Sequence, residues 1–261
     1  MGVSVTVEGD AAVVALDWPR TRNALGPAEV KDLADAIREA DRIENIAAVV
    51  LTGNAQAFCS GGDLAQLSAI ASSNTEEYVA DVIYTNFHDM IHALEECRNP
   101  TIAAVDGPAI GLGMDLVLAC DIRLVGPHGS LAQGWGRAGL VPGTGGAYFL
   151  DRLAPGLIWH LIVSGESLTA TAAQEHGLAV ACEGSAVSRA VEMAHSLARL
   201  PRPARQGYVS LERPLRFPSR DYLAACARIQ GGLLTSPAFQ EFAQRVLSKS
   251  ASVDDERRSS E

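Results

Sequence analysis

Apolar and polar positions alternate along this chain with two different periods, and the order of those periods outlines a fold. Val3–Val7 and Ala12–Leu16 are short runs on either side of Glu8-Gly9-Asp10, and such runs around a turn predict a hairpin. In "LGPAEVKDLADAIREADR" the apolar residues Val30, Leu33, Ala34 and Ile37 share one helical face, with Pro27 near the helix start. "IAAVVLTG" is then almost wholly apolar and ends in glycine, the pattern of a parallel strand covered on both faces. The cycle returns with a helical stretch from about Thr75 to Cys97, the strand "TIAAVDG", the helix-forming "GLGMDLVLACD" and the strand "IRLVG". Parallel strands joined by helical crossovers are the economical reading. After the glycine-rich segment around residues 134–146 strands thin out. Helices are predicted at Thr169–His176, Val187–Leu200, Pro203–Leu211, Ser219–Leu234 and Pro237–Ser248. The segment "SASVDDERRSSE" is polar and reads as a frayed tail.

The 261 residues suffice for one α/β core, placed at residues 1–195, with a helical C-terminal region at 196–250 and a disordered tail at 251–261. The composition, 48% hydrophobic with 5% aromatic, suits close packing of helices on a sheet. A formal charge of −10 argues against a nucleic-acid or anionic-membrane partner, because both are bound through surplus Lys and Arg. The odd set Cys59, Cys97, Cys120, Cys182 and Cys226 is widely spaced, which suggests neither disulfides nor a metal site, and a cytoplasmic setting is expected. No segment approaches the length of a membrane span.

Chemistry concentrates in two segments of one design. "AFCSGGDL" (residues 57–64) and "DGPAIGLGMDL" (residues 106–116) each leave a buried strand, pass through glycines and lead into a helix. Glycines let a ligand approach the backbone closely, and a helix start presents unpaired N–H groups with partial positive charge. Two such groups converging on one point form an oxyanion hole, suited to the enolate that forms when a carbonyl compound reacts at its α-carbon. Asp115 lies on an otherwise apolar helix, where an unpartnered carboxylate is costly, and this marks it as a catalytic candidate. Asp63 and Asp121 read instead as capping or structural residues.

Taken in order, "RNAL" at 22–25, the two segments above, "GLVPGTGG" and "LIVSGESLTATAAQEHGLA" resemble the enoyl-CoA hydratase/isomerase, or crotonase, superfamily over roughly residues 1–250. The resemblance implies an α/β fold built as a spiral of ββα units, with a helical C-terminal trimerisation region. It also implies a homotrimer or dimer of trimers, and an acyl-CoA thioester as partner. No separate cofactor is implied, since coenzyme A is part of the substrate, and no metal. Carried over by position, the oxyanion donors are the backbone N–H groups of Gly62 and Leu112, the latter at a place commonly occupied by glycine. Arg22, with Arg20 beside it, is a candidate partner of the CoA phosphates, and Arg245 and Lys249 lie on the last helix, which in the family can reach the CoA of a neighbouring subunit. Phe58, Gly111, Trp135, Pro142 and Gly143 are the remaining candidate substrate contacts.

Hydratases of this family use two glutamates. Here the first position is Asp115, and the second falls on Trp135; the place where some relatives carry a catalytic aspartate is Gly143. The absence weakens ordinary hydration, since one carboxylate must both orient water and move a proton. Chlorobenzoyl-CoA dehalogenases resemble this chain in carrying a histidine at the position of His88 and a tryptophan at that of Trp135, but their nucleophilic aspartate corresponds to Gly143. His88, with a pKa near neutral, is therefore a candidate base or hydrogen-bond donor. Three functions follow as expectations: an acyl-CoA enzyme of hydratase/isomerase type using Asp115 and His88; a hydrolase or decarboxylase of a cyclic or aromatic β-oxo acyl substrate with His88 as main base; or a non-catalytic acyl-CoA-binding paralogue.

Overall fold

The computed structural model describes residues 2–54 and 56–258, with side chains described as far as residue 249. Strands β1 (Gly2–Glu8) and β2 (Ala11–Asp17) form the hairpin, antiparallel through a turn at Gly9. Helix α1 (Pro27–Arg42) follows with proline in its first turn, and the Glu29 carboxylate accepts from the Gly26 N–H at 3.0 Å. Strand β3 is Ala48–Thr52, and α2 (Leu64–Ser73) starts at Asp63, whose side chain accepts from Gln66 N–H at 3.0 Å. The stretch expected to be one long helix is α3 (Glu76–Tyr78), a π-helical turn at Val79–Ile83, and α4 (Tyr84–Glu96). Then come β4 (Thr101–Val105), β5 (Pro108–Ile110), α5 (Leu112–Ala119), β6 (Ile122–Val125) and β7 (Ser130–Ala132).

Strands β2, β3, β4 and β6 run parallel, with Val13, Val50, Ile102 and Ile122 side by side. That row explains the unbroken apolar runs, because both faces of the sheet are covered. Val13, Val50 and Ile102, with Ala11, Ala48 and Ala104, pack against Ala186, Ala190 and Ala194 of a helix on one side. The alternate residues Val14, Val49, Leu51 and Ala103 join the larger core on the other, beneath α1, against which α4 packs.

After residue 146 the chain departs from the expectation that strands thin out into the helix at Thr169. Two further helices, α6 (Gly146–Leu153) and α7 (Leu157–Ser164), precede β8 (Ser167–Thr169), α8 (Ala170–Glu175) and β9 (Val180–Ala181). Strand β9 extends the main sheet to the order β1-β2-β3-β4-β6-β9, while β5, β7 and β8 make a small second sheet. The C-terminal helices are α9 (Ala186–Ala198), α10 (Arg202–Arg216), α11 (Arg220–Leu234) and α12 (Pro237–Arg258). Helix α9 is the one that covers the sheet, and α12 runs on into the polar segment read as a tail; residues 259–261 lie outside the described residues.

Helix α10 is held to the core by charge. Arg213 and Arg216 reach Asp121 at 2.7 and 2.6 Å, and the same carboxylate accepts from Thr101 N–H and Oγ1. Burial alone would raise the Asp121 pKa, but the two guanidinium charges outweigh it and hold the group below the usual carboxylate range. Asp63 caps a helix and Asp121 anchors one, which are the structural roles their settings suggested.

Candidate active site

The two glycine turns meet. Ile110 N–H donates to Cys59 O at 2.9 Å, which binds the end of β5 to the segment leading to Gly62. On the far side of that segment Leu25 N–H donates to Gly61 O and Asp63 N–H donates to Leu25 O, at 2.9 and 3.0 Å. Successive backbone groups in an extended chain point to opposite sides, so the Gly62 N–H faces away from Leu25. Leu112 is the first residue of α5, and its N–H therefore has no helical acceptor. Gly111 before it has φ 55° and ψ −113°, a conformation that glycine tolerates without strain.

Gly62 and Leu112 line one cavity of about 150 Å³, together with Ser60, Gly61, Leu64, Leu67, Ile110, Gly111, Gly134, Trp135, Ala138, Leu140 and Phe242. Of these, Leu64, Leu67, Ala138, Leu140 and Phe242 are wall residues that the sequence motifs did not single out. Phe242 was concealed by distance along the chain, since only tertiary packing brings α12 over the cavity. Among the described residues, no carboxylate and no imidazole lines it. Other surface depressions are as large or larger, but they lie among Arg38, Asp41 and Arg98, or beside Asp10 and Arg199, away from both glycine turns.

Asp115 sits behind Trp135. It is 4% exposed, and its Oδ2 accepts two hydrogen bonds, from Trp135 Nε1 at 3.2 Å and from Thr144 Oγ1 at 2.7 Å. Burial pushes its carboxyl up to about 7, while the two donors pull the other way. Oδ1 lies against Gly146, where a Cβ would overlap the carboxylate; the glycine is there because the acid needs its space. Thr144 completes this arrangement and lay within the "GTGG" signature, hidden because threonine hydroxyls carry no pattern of their own. Trp135 thus touches the cavity with its ring and the carboxylate with its N–H.

His88 stands elsewhere. Its Nε2 is 2.9 Å from the Gly143 carbonyl, and the imidazole is half-buried beside the Tyr84 ring, 5.6 Å between centroids. Burial lowers its pKa, partly offset by the bond to Gly143. Gly143 and Pro142 are buried, and a Cβ on Gly143 would overlap Tyr84, so an aromatic ring occupies the space where an aspartate side chain would extend. Phe58 is fully buried in the core rather than at the cavity, because its backbone N–H pairs with Pro108 O and turns the ring inward. The structure therefore gathers Gly62, Gly111, Leu112 and Trp135 at the cavity, puts Asp115 one layer behind it, and leaves His88, Phe58, Pro142 and Gly143 outside the wall.

Cations flank the cavity. Arg20 and Arg22 are exposed on the turn after β2, and Arg22 O accepts from Ser60 N at 3.1 Å, fixing that turn to the rim. The Arg245 guanidinium lies 5.8 Å from the centroid of Phe242, with Lys249 one turn further along α12. No group of three or more metal-ligating side chains occurs among the described residues, and no helix there is long and apolar enough to cross a membrane.

Comparison with known proteins identifies the family and the fold. A family model described as enoyl-CoA hydratase/isomerase matches residues 6–249. A protein named "Probable enoyl-CoA hydratase" from Rhodobacter capsulatus is 32% identical over 246 residues, 91% of each chain. Another so named from Mycobacterium tuberculosis is 33% identical over 201 residues, 77% of each. Among solved structures, an enoyl-CoA hydratase from a Polaromonas species is similar with a TM-score of 0.76 and 31% identity, covering 87% of this chain and 89% of that one. An enoyl-CoA hydratase/isomerase from Mycobacterium paratuberculosis, at 24% identity, shares the fold with a TM-score of 0.84 over 93% of this chain and 97% of that one. With the family match running over nearly the whole length, and full-length relatives above 30% identity, the chain belongs to the enoyl-CoA hydratase/isomerase family.

Proposed function

We propose that this protein is an acyl-CoA enzyme in which the backbone N–H groups of Gly62 and Leu112 hold the thioester oxygen while Asp115 carries the proton. The observation that supports this most is that Trp135 joins the two halves: its ring lines the cavity shared by Gly62 and Leu112, and its N–H donates to Asp115. As charge moves from the α-carbon onto the thioester oxygen, fixed backbone dipoles meet it without reorganising. A carboxyl with its pKa pushed up to about 7 is a base strong enough to take that proton and an acid strong enough to return it. Direct transfer requires the indole to turn away from Oδ2, while Thr144 keeps its bond and holds the carboxylate in place.

A single carboxylate, one layer behind the cavity and without a second acid–base group beside it, favours moving a proton between carbons of one acyl chain over adding water. The reaction is therefore of the isomerase type, with coenzyme A as the only group required. Arg22, whose carbonyl accepts from Ser60 N–H, and Arg245, beside Phe242, are the cations proposed to meet CoA phosphates. His88, engaged with Gly143, acts by holding that carbonyl rather than as the base, which removes support from a His88-driven hydrolase or decarboxylase. A homotrimer or dimer of trimers would cover the exposed Trp159 and Val163 of α7 and the Tyr208, Leu211 and Leu215 of α10. The free thiols suit a cytoplasmic setting.

A second reading, a non-catalytic acyl-CoA-binding protein, is favoured by one observation: no ionisable side chain lines the cavity. Incubation with a panel of acyl-CoAs in heavy water decides between them. Deuterium gained at the α-carbon, lost in Asp115→Asn but retained in His88→Gln, supports the enzyme. Tight binding with no exchange for any thioester supports the second reading, and absence of binding sinks both.

A further inference from the structure

The size of the cavity is fixed by the elements packed around it. The two glycine turns form the end that carries Gly62 and Leu112, and Leu64 and Leu67 of α2 form one side. Helix α12 forms the roof through Phe242, and it is held there by Ser68 Oγ, which donates to Gln240 Oε1 at 2.6 Å. Helix α12 also packs on the turn at Gly136–Ala138, which closes the side carrying Ala138 and Leu140. The remaining wall is Trp135. In the resting site the indole is 6% exposed and is held in its plane by the bond from Nε1 to Asp115, leaving that plane only for proton transfer once the acyl group is seated. An acyl chain entering past the thioester meets a pinned aromatic plane, with a buried carboxylate on its far side.

We infer that Trp135 sets the acyl specificity of the site, limiting it to compact neutral acyl groups no larger than one six-membered ring. This rests on the acyl-CoA reading above and goes beyond it by naming the substrate class. The cavity of about 150 Å³ matches the volume at which an apolar engineered cavity accepts benzene. The Ser60 hydroxyl in the lining donates to Thr21 O, and the leucine, isoleucine, alanine and phenylalanine side chains supply no counter-charge for a charged acyl terminus, where an unpaired buried charge is strongly disfavoured. Long chains lack room, and acyl groups ending in a carboxylate lack a counter-charge.

The test is a series of dissociation constants for the full chain with non-reacting thioesters: butyryl-CoA, benzoyl-CoA, dodecanoyl-CoA and adipyl-CoA, with free CoA as reference. Butyryl and benzoyl thioesters should bind at least tenfold more tightly than dodecanoyl and adipyl thioesters. Equal or tighter binding of either larger thioester overturns the inference while leaving the acyl-CoA reading intact. If no thioester binds better than free CoA, that reading fails and the inference with it. Trp135→Ala, which opens the end wall toward Asp115, should bring dodecanoyl-CoA to within threefold of benzoyl-CoA, whereas Trp135→Phe keeps a ring in the wall and should retain the preference. A folded Trp135→Ala protein with the wild-type order would show that another wall sets the limit. Should that variant not fold, Trp135→Leu, which shortens the same wall with an apolar side chain, takes its place, and an unchanged order there overturns the inference.

Discussion

Replacing Asp115 with asparagine should make the protein more stable, and by an amount that depends on pH. The carboxyl is fully enclosed, 4% exposed, and its pKa is pushed from the ordinary 3.8 up to about 7. Below pH 3.8 the folded and unfolded chains both carry it protonated, and it contributes nothing to the pH dependence. Between pH 3.8 and about 7 the unfolded chain ionises while the folded one retains its proton, so the unfolded state binds fewer protons and stability falls as pH rises. At about 1.4 kcal/mol per pH unit that interval amounts to about 4 kcal/mol, reached above pH 7 and constant beyond. Asparagine keeps an oxygen to accept from Trp135 and Thr144 and carries no charge. Urea unfolding of both proteins at pH 4.5, 6 and 8 measures the difference. The variant should gain on the wild type by several kcal/mol between pH 4.5 and 8, with most of the gain in place by pH 7. A difference of the same size at all three pH values would refute the argument that burial of this carboxylate dominates its energetics.

Three further expectations test other parts of the site. Gly146→Ala drives a methyl into Asp115 and should cost about 1–3 kcal/mol; in a double-mutant cycle with Asp115→Ala at least about 0.5 kcal/mol of that should be recovered. Asp121→Ala leaves Arg213, itself 4% exposed, without its partner and should destabilise by about 3–5 kcal/mol in thermal or urea unfolding. Because the Asp121 pKa is held low, its contribution in the wild type is present above the ordinary carboxylate range and is lost as pH falls through the lowered value. His88→Gln retains a donor toward the Gly143 carbonyl and should lower α-proton exchange less than tenfold, whereas loss of a general base costs about 10²–10⁴-fold.

The parallel core was legible because its signal is local. The residues from Ala48 to Thr52 and from Thr101 to Val105 are buried throughout, and a strand covered on both faces is apolar except where a hydroxyl finds a partner, as at Thr52 and Thr101. Helix α1 likewise announced itself through proline in its first turn and one apolar face. Strands β5, β7 and β8 were not legible, since three residues are too few to show a period of two. Helices α6 and α7 start at Gly145 and Gly156, both in the left-handed conformation, so neither carries the Ser, Thr or Asp that marks a helix start. At the site, the motifs named the two glycine turns and the missing carboxylates. They did not reveal that the Trp135 N–H would reach Asp115, twenty residues earlier, or that Phe242 would roof the cavity, because both depend on how separate elements pack.

The Asp121 anchor has a consequence for how the molecule opens. Arg213 donates not only to Asp121 but also to the carbonyls of Cys97 and Asn99, and Arg216 donates to Ala119 O at the end of α5. Helix α10 is thereby joined to the entrance of β4 and to the last turn of the helix that bears Asp115. Local opening follows the boundaries of such interlocked units. Amide protons of α5 and α10 should therefore exchange with solvent in one cooperative event, which native-state hydrogen exchange would show, although the two helices are about a hundred residues apart in sequence. Helix α10 is in this sense a lock on the helix that bears Asp115, and an opening that frees it should expose that carboxylate to water.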